Sequence, residues 1–154
     1  MAYPPLADLL PHRPPMLLLD ALTAAEDHSV ACSVTVRDGA PFVGPPFADA
    51  GKASSLLAVE YFAQAVAALF AFKALGSPDP FKGGVLLGVR DLELDVPHLA
   101  AGDTLGVTCR EQWASGPVAH YQCTLHRGPE RLAAGSITVL QGDPNALELA
   151  QGPT

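Results

Sequence analysis

The chain has 154 residues, with 16 acidic against nine basic side chains and a formal net charge of −7. That length supports one domain with a real core, and the acidity, with no basic run, argues against nucleic acid as a partner. Hydrophobic residues make up 49% and charged ones 16%, so the chain reads as globular and apolar enough for a partner subunit to cover part of its surface.

Residues 6–10 can form a short helical turn, stopped by Pro11 and by the Pro14, Pro15 pair. Residues 16–22 read as an apolar strand, followed by a polar break at 25–28. In residues 30–36 the small or apolar Val30, Cys32, Val34 and Val36 alternate with mostly polar neighbours, which is the pattern of a half-buried strand. A Gly- and Pro-rich loop over 38–50 delivers the chain to a long helix at 52–75, and a second loop follows at 76–84. Four strands are then expected, at 85–96, 104–113, 118–126 and 131–140. Turns containing Gly102, Gly116 and Gly128 join them into an antiparallel meander. Residues 1–142 therefore form one α+β domain, an antiparallel sheet of about six strands around one central helix, and residues 143–154 a loosely held tail.

The helix is the stretch to explain. Between Lys52 and Lys73 its only charged residue is Glu60, and apolar residues fall on every side rather than on one stripe. Such a helix is long enough to span a membrane, but a mid-span charge costs about 2.5–3.5 kcal/mol and no other segment supports a membrane protein. A core helix enclosed by a sheet and a dimer partner fits better. A carboxylate there is either structural, paired to an arginine or held at a subunit boundary, or functional, since an apolar setting suits a carboxyl group to acid/base work. Gln64 lies one turn on along the same face, placed to hold the carboxylate or a substrate carbonyl, or equally to make a core hydrogen bond. Unpaired backbone N–H groups near Ser54 to Leu56, with Ser55 between them at the positive end of the helix, would suit a thioester oxygen.

Cys32, Cys109 and Cys123 are odd in number and lack ligand spacing, so buried thiols in a reducing compartment are expected, with no disulfide and no zinc. The N-terminus, MAYPPLADLLPHRPP, has no basic start ahead of an apolar core, so a signal peptide is not expected and the cytoplasm is the default compartment.

The element order, the string LLPHRPPMLLLD and the helix motif Glu60-Tyr61-Phe62-Ala63-Gln64 resemble the hot-dog fold superfamily. Within it the chain is similar to the FabZ-type 3-hydroxyacyl-acyl carrier protein dehydratases. The most similar branch is the ApeP-like one of aryl polyene biosynthesis, matched at Leu9 to Asp20, Glu60 to Ala67 and Leu86 to Arg90. The resemblance implies a dimeric hot-dog fold and a 3-hydroxyacyl thioester substrate carried on acyl carrier protein or coenzyme A, with no cofactor and no metal. It also implies a groove for the pantetheine arm beside Gly88 and Arg90. The chain departs from that pattern at one place. Where FabZ-type enzymes carry a catalytic His in a Gly-His-Phe-Pro-Gly run, this sequence has Pro46, inside Gly44-Pro45-Pro46-Phe47.

Dehydration needs a base for the C2 proton, an acid for the departing hydroxyl and donors for the enolate oxygen. With the imidazole absent at position 46, the resemblance makes His12 the candidate base, since in that family the Leu-Pro-His loop lies close to the tunnel, and Glu60 the candidate acid. Pro11 and Pro14 stiffen the backbone at His12, which otherwise reads as a loop histidine hydrogen-bonded to backbone. His28, His98, His120 and His126 fall at turns or alternating strand positions and read as surface or satisfied polar residues. Two alternatives stay open. One is a hot-dog thioesterase, in which the helix carboxylate acts without a His; the other is a silent subunit, pairing with an active dehydratase as a heterodimer rather than forming a homodimer.

Overall fold

The structure, a computed structural model, describes residues 2–78 and 84–141. Its elements run α1 (Leu6–Leu9), β1 (Ala21–Ala25), β2 (Ser29–Thr35), β3 (Lys52–Ser54), α2 (Ala58–Lys73), β4 (Gly84–Leu94), β5 (His98–Ala100), β6 (Thr104–Ser115), β7 (Val118–Arg127) and β8 (Glu130–Gln141). The expected tail lies outside the described residues, as does most of the second half of the 76–84 loop.

Six strands form one antiparallel sheet in the order β1-β2-β6-β7-β8-β4. Alternation explains how it faces the helix. Val30, Cys32 and Val34 of β2, Leu105, Val107 and Cys109 of β6, and Tyr121, Cys123 and Leu125 of β7 are all buried, while their neighbours point away. The sheet wraps α2, whose buried Ala58, Tyr61, Phe62, Ala65, Ala68 and Leu69 meet these residues in one cluster. This is the hot-dog arrangement.

The meander is real for β6, β7 and β8, but the long strand β4 does not lead into it. It pairs with β8 at the far edge, Gly84 opposite Gln141 and Leu94 opposite Ala133. Two irregularities bend it, one between Arg90 and Glu93 where Asp91 takes φ +52°. Among the described residues the second side of β4 has no strand beside it, and its Val85, Leu86, Leu87, Val89 and Leu94 are exposed. On β6, His126 of the neighbouring strand lies over Gly106. A Cβ on that glycine would come closer than 3.0 Å to the imidazole, so only glycine fits beneath the ring as it stands.

The central helix starts later than its composition suggests. Lys52–Ser54 is a short strand paired with β5, and a single 3₁₀ turn, Ser55–Leu57, precedes α2. Ser54 caps this turn, its Oγ accepting from the Leu56 N–H at 3.2 Å. Gly76, at φ +78°, follows the last turn, in the left-handed conformation that commonly terminates a helix. The stretch Ser55–Lys73 is long and apolar enough to cross a membrane, yet 61% of it is buried inside the fold. Enclosure by the sheet accounts for its hydrophobicity.

The 16–22 strand is also displaced. Residues 11–20 form a strap across α2 that turns at 14–16, and pairing with β2 begins only at Ala21. The strap's far end is fixed by Asp20, whose Oδ2 accepts from the Thr35 N–H at 2.6 Å and whose Oδ1 accepts from Arg37 at 2.7 Å.

Candidate functional site

Glu60 is half-buried and makes no ion pair with any described residue. Its surroundings come from the spacing of α2. Ala63 and Ala67, three and seven positions on, share its side of the helix and are half-covered, whereas the residues around them are buried. Because both carry only a methyl group, space remains above that stripe. A cavity of about 340 Å³ occupies it, walled by His12, Glu60, Ala63, Gln64, Ala67 and Phe70 together with the start of β4 at Gly84, Val85 and Leu86.

His12 reaches this wall from the strap. Arg13 turns back and donates to the carbonyls of Leu10 (2.6 Å) and His12 (2.8 Å), and the Met16 N–H donates to the Arg13 carbonyl at 2.8 Å. The backbone at His12 is thus held by Arg13 as well as by its flanking prolines. Its Nδ1 is buried and has no hydrogen-bond partner among the described residues. Leaving such a group unsatisfied costs about 1–3 kcal/mol, so an unpaired ring nitrogen in a cavity wall calls for an explanation.

Gln64 is almost completely buried and uses its whole amide. Its Oε1 accepts from the Leu18 N–H at 3.0 Å; its Nε2 donates to the Met16 carbonyl at 2.9 Å and to Glu60 Oε1 at 3.0 Å. Of its two expected partners, the carboxylate is the one it holds.

A second cavity, about 480 Å³, adjoins Glu60 from the other side, walled by Met16, Phe42, Phe47, Leu56, Leu57 and Val59. Phe42 sits at φ +69°, a strained value for a bulky residue, and its ring meets Phe47 edge-on at 5.2 Å. Within Gly44-Pro45-Pro46-Phe47 the side chain that joins the wall is Phe47; Pro46 is exposed and lies outside the walls of both cavities.

The remaining expected site residues are not brought here. Ser55 is buried, its hydroxyl and its N–H both donating to the Pro97 carbonyl at 3.2 and 3.1 Å. The N–H groups expected to be free at the helix start are therefore spent, Ser55 on Pro97 and Leu56 on Ser54, because β5 runs directly past that end. Gly88 and Arg90 lie on β4, outside the walls of both cavities; a Cβ at Gly88 would meet nothing within 4 Å, and Arg90 makes no ion pair among the described residues. The sequence reading missed Met16, Phe42, Ala63 and Ala67. Two alanines in register with the glutamate were a legible signal; Met16 and Phe42 carried none.

The three cysteines are buried and unpaired. Burial pushes the Cys32 thiol up to about 12 and raises Cys109 as well. Among the described residues no three His, Cys, Asp or Glu side chains gather to hold a metal.

A sheet wrapped on one helix, with a carboxylate at a cavity along that helix, defines a hot-dog protein. The chain belongs to the ApeP-like family, described as ApeP dehydratase, whose model matches residues 4–151. No curated protein matches it significantly. Among solved structures, the dehydratase heterocomplex ApeI:P from Xenorhabdus doucetiae is similar at TM-score 0.84 and 24% identity, over 98% of this chain and 99% of that one. The PaaI protein of the Escherichia coli phenylacetic acid degradation operon is similar at TM-score 0.58 and 12% identity, over 77% and 80%. A hypothetical thioesterase protein with coenzyme A from Streptococcus pneumoniae stands at 0.57 and 12%, over 78% and 83%. At these identities the structural likeness establishes the fold, and the family match establishes the dehydratase family.

Proposed function

We propose that the chain is a cytoplasmic 3-hydroxyacyl thioester dehydratase, with the acyl chain lying along the Ala63 and Ala67 stripe and its reacting carbons between His12 and Glu60. The observation that carries this is the shared wall: an imidazole nitrogen and a carboxylate, neither with a partner of its kind among the described residues (no hydrogen bond for the first, no cation for the second), bound one apolar cavity. His12 takes the proton from C2; the electron pair becomes the C2–C3 double bond; the C3–O bond breaks as Glu60 protonates the hydroxyl, and water leaves. The proton on His12 then returns through solvent to Glu60. Gly88 and Arg90 belong to the approach of a pantetheine arm along β4, supported by the open space at Gly88. Ser55 acts behind the site, fixing the start of the helix to Pro97. Carrier protein or coenzyme A delivers the substrate, and the ApeP-like family match favours the first.

The test is product identity. Purified protein given a 3-hydroxyacyl thioester should yield the α,β-unsaturated thioester and water, and His12→Ala should abolish it. Free thiol instead of unsaturated product assigns the chain to the thioesterases.

A second reading has its own support. Pro46 stands at the family's imidazole position, and the exposed apolar edge of β4 is suited to pairing with another sheet. On that reading the chain is one half of a heterodimer whose other subunit brings a histidine. Native mass spectrometry of the chain alone, with turnover measured on the same preparation, separates the two: an active homodimer excludes a silent subunit.

A further inference from the structure

We infer that Gln64 is the positioning residue of the site, dividing the work of the two Glu60 oxygens and fixing the strap that carries His12 to the helix that carries Glu60. This rests on the dehydratase reading for its kinetic consequence and on hydrogen bonding alone for its structural one.

The amide has one possible direction. The Leu18 N–H needs an acceptor and the Met16 carbonyl needs a donor, so Oε1 faces the first and Nε2 the second. The other Nε2 hydrogen then points at Glu60 Oε1. That oxygen accepts from the amide, which leaves Oε2 as the oxygen open to exchange a proton with substrate. A carboxylate that lacked this constraint would rotate and present either oxygen; this one presents a fixed atom. The same amide binds the strap at two points, four and six residues beyond His12. The two groups with opposite jobs in the reaction are thereby referred to a single buried side chain. The distribution of burial agrees: Gln64 is 1% exposed while Glu60, one turn away, stays half-open to both cavities.

Three variants test the structural half: Gln64→Glu, Glu60→Gln and the swap carrying both. Gln64→Glu keeps length and shape, but sets an acceptor against the Met16 carbonyl and a second negative charge against Glu60. It should lower Tm by about 5 °C. In the swap, the new amide at position 60 supplies the donor and the new carboxylate at position 64 the acceptor, so more than half of that loss should return. An equal Tm loss with and without Glu60→Gln overturns the inference with no substrate involved. For turnover, Gln64→Met should reduce kcat about 10²-fold with KM changed less than threefold, the signature of misplaced groups rather than lost binding. Unchanged kcat in a folded Gln64→Met protein also overturns it. Failure of the wild type to dehydrate any 3-hydroxyacyl thioester counts against the dehydratase reading and leaves the stability cycle as the judge of Gln64.

Discussion

Ala67→Leu separates a cavity that holds substrate from one that is mere slack in packing. The substitution adds three carbons to a half-covered position facing a space of about 340 Å³. At about 0.8 kcal/mol per buried CH₂, complete burial of the three would stabilise by roughly 2.4 kcal/mol; half-coverage reduces this to about 1 kcal/mol, a rise in Tm of about 2–4 °C. The same three carbons displace about three methylenes of an acyl chain. That costs the substrate up to roughly 2.4 kcal/mol, or about fiftyfold in kcat/KM. Stability and activity therefore move in opposite directions. Thermal unfolding gives the first, and kcat/KM across a ladder of 3-hydroxyacyl thioesters gives the second, with the shortest acyl chain little affected. Long and short chains slowed equally, or a fall in Tm, would refute the path along Ala63 and Ala67.

The cysteines carry a pH prediction. Cys32 stays a neutral thiol up to about pH 12 when folded but ionises near 9 when unfolded, so its contribution is complete below pH 9 and declines between 9 and 12. From pH 9 to 10.5 it alone accounts for about 2 kcal/mol of lost stability, read as a falling urea midpoint, and Cys32→Ala should flatten the slope. Gly106→Ala should cost about 1 kcal/mol, because the new methyl displaces the His126 ring; in a His126→Ala background the cost should vanish, as measured by denaturant unfolding.

The sequence and the structure agree best where burial alone decides. Alternation located β2, and the Gly-containing turns located β6 and β7, within a residue or two; in all three every second side chain meets the core around α2. Glu60 stood out as a lone charge among apolar residues, and Gln64 by its one-turn spacing. Strand order was not legible: β4 is apolar on both faces, and nothing local says whether it pairs with the next strand or the last. The β3 and β5 pair was missed because three residues are too few to show a period, and its apolar Ala53 merged with the helix. That error produced the expectation of free N–H groups at Ser55. The strap misread as a strand is extended chain whose polar backbone is met by a side chain, Gln64, rather than by a neighbouring strand.

The most direct measurement is single-turnover water loss from a 3-hydroxyacyl thioester by wild type and Glu60→Gln. The variant keeps an acceptor for Gln64 and should unfold within a few degrees of wild type. Its rate should fall by about 10²–10⁴, the range for loss of a general acid. A folded Glu60→Gln protein that dehydrates at the wild-type rate would contradict the assignment of this carboxylate to the chemistry.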